Sequence, residues 1–132
     1  ALNAAARRIN ESEPGLQLDS SVQVPRYASA VDIHCMPGGY HTEVVDGDVS
    51  AGANYDCGIF ATTGGMLGRY NDGGGQAVAQ WLAAEHPAFR PQRILDIGCS
   101  VGHNIVPLAQ AYPDAEVIAI DVAAPMLRYA HA

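Results

Sequence analysis

Arg93-Ile94-Leu95-Asp96-Ile97-Gly98-Cys99-Ser100-Val101-Gly102-His103 decides how this chain is read, and Val117-Ile118-Ala119-Ile120-Asp121 completes it. Ile94, Leu95 and Ile97 form a short aliphatic run of the kind expected in a parallel strand buried on both faces. It breaks at Gly98. Only Cys99, Ser100 and Val101 separate Gly98 from Gly102, so backbone amides can approach a bulky polar ligand and positive φ is tolerated. From about His103 the apolar residues recur at Ile105, Leu108, Ala109 and Tyr112, one face of a helix. Pro107 is compatible with that helix only near its first turn, and Pro113 stops it. Val117 to Ile120 is a second aliphatic run, and it ends in Asp121. Pro125 then pre-sets φ for a new helix that begins with Met126, Leu127, Tyr129 and Ala130. The order is strand, glycine turn, helix, strand, acid.

In a βαβ nucleotide pocket, an acid roughly 20 residues past the glycine turn accepts hydrogen bonds from ribose, because two carboxylate oxygens meet two vicinal hydroxyls. Asp121 is the candidate ribose ligand. Two other pockets use related turns. A dinucleotide fingerprint has Gly-x-Gly-x-x-Gly, whereas Ser100 stands at the middle position here and Gly102 follows after one residue. Gly98 to Gly102 also spells Gly-x-Ser-x-Gly, the nucleophile elbow of α/β-hydrolases, which would make Ser100 catalytic. That chemistry needs an acid and then a histidine further along, and beyond the adjacent His103 the chain offers only His131. The elbow also leaves Asp96 and Asp121 without a role. A third alternative is a non-catalytic binding module whose βαβ unit merely turns tightly.

Asp96-x-Gly98-x-Ser100-x-Gly102, followed by Asp121 and Ala124-Pro125-Met126-Leu127, resembles motif I and the next acidic motif of class I S-adenosylmethionine-dependent methyltransferases. The likeness runs from about Pro91 to Ala132. It implies an α/β, Rossmann-like methyltransferase fold, of which this chain holds the first βαβ portion. It implies S-adenosyl-L-methionine as cofactor and a small-molecule methyl acceptor. By the same resemblance Asp96 holds the amino-acid moiety, and Gly98, Cys99, Ser100 and Gly102 form the turn beneath methionine and ribose. Asp121 takes the ribose, and Val122 and Met126 line the adenine. No catalytic residue is assigned. Ser100 departs from the family pattern, which has glycine there, and it removes some backbone freedom. The family continues with five more strands and carries its substrate motif after the fourth, so the resemblance implies an N-terminal piece of a longer enzyme. Such a piece supplies the cofactor half and is not expected to turn over alone.

Residues 1–90 read as a cap- or lid-like region preceding the cofactor domain of 91–132. Leu2, Ala5, Ala6 and Ile9 lie at helical spacing opposite Arg7 and Arg8, predicting a short amphipathic helix over Ala1 to Ser12. Leu18, Ser20, Val22 and Val24 alternate, predicting a strand over Gln17 to Val24. Val49 to Phe60 reads as helical. So does Gln76 to His86, with Val78, Trp81 and Leu82 on one face, Pro87 as its stop, and the sheet as its packing partner. Tyr27, Tyr40, Tyr55 and Tyr70 are candidate substrate contacts in a cap, or ordinary amphipathic packing residues. His34, Cys35, His41 and Cys57 lack the Cys-x-x-Cys spacing of a zinc site, and no metal is expected.

The chain has 132 residues, 48% of them hydrophobic, and a formal net charge of -7. Its 7 basic residues are scattered rather than striped, which argues against a nucleic-acid substrate. No basic-apolar leader and no apolar run of bilayer length is visible, and the 3 cysteines form no disulfide framework. A soluble cytoplasmic protein with reduced thiols is expected. Two parallel strands with open edges leave backbone groups unpaired, so the chain is expected either to self-associate, checked by light scattering, or to borrow cover from the preceding segment.

Overall fold

The computed structural model describes residues 1–30 and 39–132, so His34 and Cys35 lie outside the described residues. The elements are α1 (Leu2–Ser12), α2 (Arg26–Ser29), a 3-10 turn (Gly39–His41), α3 (Ser50–Thr62), α4 (Gly73–Glu85), β1 (Arg93–Ile97), α5 (Ile105–Ala111), β2 (Glu116–Ile120) and α6 (Ala124–His131). They form two compact units, one of Ala1–Tyr55 with Asp121–Ala132 and one of Asp56–Ile120.

Within Asp56–Ile120, β1 and β2 pair in parallel, with Arg93 opposite Glu116 and Ile97 opposite Ile120. Parallel strands need a crossover connection, and α5 provides it. Pro107 falls in the first turn of α5, where its missing N–H has no intrahelical partner to lose, and both Ile105 and Pro107 are buried. Arg93 and Glu116 face each other at 2.8 Å across the start of the sheet, but both are largely exposed and the pair adds little stability. Phe89 meets Tyr112 edge to face at 5.8 Å, joining the segments that lead into β1 and out of α5.

Burial on both faces of the sheet, expected from the aliphatic runs, is not what the strands show. Ile94, Asp96 and Val117 are half-buried, while Leu95 is 58% and Ile97 74% exposed. Alternate side chains point to opposite faces, so this is the pattern of a sheet covered on one side among the described residues.

The glycine-rich start of α4 explains a second correction. The helix begins three residues before the expected Gln76, and its buried residues are Gly75 and Ala79 rather than Val78 and Trp81, which are exposed. Its packing partner is α5. Close approach decides the face, because a Cβ on Gly75 would lie 2.5 Å from the Asn104 carbonyl oxygen and 2.9 Å from its Cα. A large apolar side chain has no room there. Trp81 instead meets His86 edge to face.

In Ala1–Tyr55 with Asp121–Ala132, α1 lies against α6 as its amphipathic pattern requires. The Asn10 amide donates to the Arg128 carbonyl at 3.1 Å, and the Asn10 oxygen pairs with His131 Nδ1 at 2.8 Å. The first turn of α3 presses on α6 at a glycine, since a Cβ on Gly52 would sit 2.5 Å from Tyr129 Cβ. Ala6, Val49, Ala51, Ala123 and Met126 are buried. The strand expected over Gln17 to Val24 is absent. Asp19 Oδ1 accepts the Ser21 N–H at 2.8 Å and the Ser21 hydroxyl at 2.6 Å, a local turn that competes with extended pairing.

Asp48 is the most buried charged residue of this unit, at 1% exposure. Its carboxylate accepts from the Ser50 N–H at 2.9 Å, the Ser50 hydroxyl at 2.6 Å and the Val44 N–H at 2.9 Å, fastening the loop before α3 to the first turn of that helix. The hydroxyl and two amides hold the acid far below the usual carboxylate range. A depressed carboxylate contributes stability that is fully present above its unfolded pKa, about 3.9, and is lost as pH falls toward the folded value. Melting temperature should therefore decline as pH drops below about 4. Asp48→Asn should flatten that decline and cost about 1.5–3 kcal/mol at neutral pH, read by thermal melts at several pH values.

Candidate functional site

The turn after β1 is left-handed at every second residue, with φ of 78° at Gly98, 53° at Ser100 and 88° at Gly102. It is closed from both sides. The Gly98 and Cys99 amides both donate to the Ile120 carbonyl, at 2.8 and 3.0 Å, and the Gly102 amide donates to the Cys99 carbonyl at 2.9 Å. Cys99 and Val101 are buried, whereas a Cβ built on Gly98 would meet nothing within 4 Å. The side chains thus anchor the turn and leave open space beside its first glycine. Asp96 is half-buried near the end of β1, opposite Ala119.

Ile120, the acceptor for the turn, is the last residue of β2, and Asp121 follows it directly. The Asp121 Oδ1 accepts the Ala123 N–H at 2.8 Å, which fixes the carboxylate's orientation ahead of α6. Pro125 occupies the first turn of that helix. Val122 is 60% exposed and Met126 is buried.

Ser100 carries the one strained torsion of the turn. An L-residue other than Gly, Asn or Asp in the left-handed region costs roughly 1–2 kcal/mol. Ser100→Gly should remove that strain while adding chain entropy of similar size, leaving the melting temperature nearly unchanged. Ser100→Val, β-branched at positive φ, should lower stability by about 2 kcal/mol or more in the same thermal assay.

The open space beside Gly98 leaves the start of the turn accessible to a ligand. Sequence reasoning missed a cluster next to this turn. Asp56, in the middle of α3, accepts from His103 Nε2 and from the Asn71 amide, both at 2.8 Å. Asn71 alone gave a local signal, as asparagine tolerates the φ of 55° found there. Asp56 and His103 lie 47 residues apart, and no motif links them. Among the candidate tyrosines, Tyr40 and Tyr55 meet edge to face at 5.2 Å, while Tyr27 and Tyr70 are exposed. His41 sits in the 3-10 turn and Cys57 is exposed on α3. No helix among the described residues is long and apolar enough to cross a membrane.

Residues 94–132, from the second residue of β1 to the residue after α6, match a family model described as a methyltransferase domain. Over 52 residues the chain is 40% identical to the trans-aconitate 2-methyltransferase of Rhodopseudomonas palustris (strain HaA2), a match covering 39% of this chain and 20% of that protein. It is 42% identical to the enzyme of that name from Afipia carboxidovorans and 39% identical to that from Methylobacterium radiotolerans, again over 39% of this chain and 20% of each relative. The chain therefore matches about a fifth of the length of these methyltransferases. No solved structure matches it.

Proposed function

We propose that this chain forms the cofactor-binding part of an S-adenosylmethionine-dependent methyltransferase that acts on a small-molecule acceptor. The observation that carries the proposal is the left-handed Gly98–Ser100–Gly102 turn tied to the Ile120 carbonyl, with Asp121 next in the chain. Asp96 would hold the amino group of the cofactor, Asp121 its ribose, and Val122 and Met126 its adenine. Bound there, the cofactor would supply a methyl group on a positively charged sulfur, already a good leaving group. The protein's part is then mainly alignment of donor and acceptor, worth far more than any single acid or base. No residue is assigned as base. The relatives' name makes trans-aconitate the first acceptor to test.

Support for the competing elbow is weak, because the Ser100 Oγ is buried whereas a hydrolase nucleophile stands exposed at the top of its turn. A fluorophosphonate probe is accordingly expected to leave Ser100 unlabelled. Calorimetry tests the cofactor assignment: S-adenosylmethionine and S-adenosylhomocysteine should bind and NAD should not. Heat from NAD alone, or from none of the three, overturns it.

A further inference from the structure

The Asp56 cluster lies outside every role assigned so far, and it touches the cofactor turn at its exit. His103 is the residue after Gly102, and its Nε2 is 2.8 Å from Asp56 Oδ1, with the two side chains only 17% and 32% exposed. The same oxygen accepts the Asn71 amide at 2.8 Å, and that amide also donates to the Asp56 backbone carbonyl at 2.9 Å. Asn71 is 4% exposed and held in the left-handed region, a conformation that persists only where its surroundings determine it. On the other side of His103, the Asn104 backbone is pressed against Gly75. His103 is thus clamped twice, once through its ring and once through the next peptide. Gly102, at φ 88°, has the widest conformational freedom of the residues that end the turn, and what fixes its neighbour fixes it.

We propose that Asp56 is a positioning residue for the cofactor turn, acting through His103 to hold Gly102 in its left-handed conformation. Asn71 orients the Asp56 carboxylate, and the carboxylate keeps the His103 proton on Nε2. The inference rests on the cofactor reading above, since it makes affinity for an adenosyl ligand the readout. Without the pair, the binding-competent turn becomes one of several conformers. Apparent affinity then falls by the fraction that remains competent.

The test combines four titrations with one spectrum. S-adenosylhomocysteine is titrated into the wild-type chain, Asp56→Ala, Asp56→Asn and Asp121→Ala by calorimetry, with thermal melts of each. A long-range 1H–15N spectrum reads the His103 ring. Asp56→Ala is expected to weaken binding about ten-fold while the melting curve stays cooperative, as when roughly a tenth of the turn remains competent. Asp56→Asn, which keeps an acceptor oxygen, should recover part of the loss. The wild-type His103 ring should be protonated on Nε2. Wild-type affinity in both variants overturns the proposal, as does a His103 ring protonated only on Nδ1. If Asp56→Ala does not fold, Asp56→Asn and the ring spectrum decide alone. If Asp121→Ala loses binding while the Asp56 variants keep it, the positioning role fails and the cofactor reading stands. A wild-type chain that ignores the ligand, with its ring protonated on Nε2, sinks the cofactor reading and the positioning role with it.

Discussion

Asp121→Ala is expected to weaken S-adenosylhomocysteine binding by roughly ten- to 150-fold, the equivalent of about 1.5–3 kcal/mol for hydrogen bonds to a charged acceptor. The size of the effect follows from the chemistry of a vicinal diol, whose two hydroxyls need two acceptors at one place. A carboxylate at the end of a strand supplies both. Its orientation is fixed in advance by the Ala123 amide, so little ordering cost falls on binding. Asp121→Asn keeps one acceptor and should lose less. The fold should tolerate either change in thermal melts, since the carboxylate is partly exposed and ends rather than spans an element. Equal affinity of wild type and Asp121→Ala by calorimetry would remove Asp121 from the site.

Gly75→Ala should be the most damaging single-methyl addition to the Asp56–Ile120 unit. Inside a helix, glycine to alanine normally stabilises by up to about 1 kcal/mol. Here the added Cβ would lie 2.5 Å from the Asn104 oxygen, 2.9 Å from its Cα and 3.0 Å from its carbonyl carbon. All three are backbone atoms and cannot rotate away, so α4 and α5 must separate, and overpacking of this kind costs about 1–3 kcal/mol or more. A net loss of about 2 kcal/mol, or roughly 5–10 °C in melting temperature, is expected. Gly58→Ala on α3 is the matched control, because its Cβ would meet nothing within 4 Å. It should raise the melting temperature slightly. The opposite ranking of the two variants would show that α4 and α5 do not pack through Gly75.

The βαβ unit was legible because its signals are local. Strand, turn, helix and acid follow one another within about one βαβ unit, and each is marked by residues with a single physical meaning. Gly98 and Gly102 mark positive φ, Pro107 and Pro113 bound the helix, and Pro125 opens the next one. The middle of the turn was harder, since Ser100 adopts a glycine-like φ that its identity does not announce.

Residues 1–90 were less legible because packing there relies on small residues. The apolar side chains of Val78 and Trp81 suggested one face of α4, and the real contact runs through Gly75, whose meaning appears only when Asn104 is brought against it. Asp19 and Ser21 turned an alternating pattern into a local turn. No sequence motif marks Asp48 or Asp56. Each gains its role from partners that the fold delivers, Val44 and Ser50 for one, and Asn71 and His103 for the other.

The most direct measurement is a 1H–15N titration of the labelled chain with S-adenosylhomocysteine, followed residue by residue. Binding at the glycine turn predicts the largest shifts at the amides of Gly98, Ser100, Gly102 and Asp121, saturating together with one dissociation constant, and in Asp121→Ala only at roughly ten- to 150-fold higher ligand concentration. Shifts that cluster elsewhere, or a spectrum unchanged at saturating ligand, would contradict it.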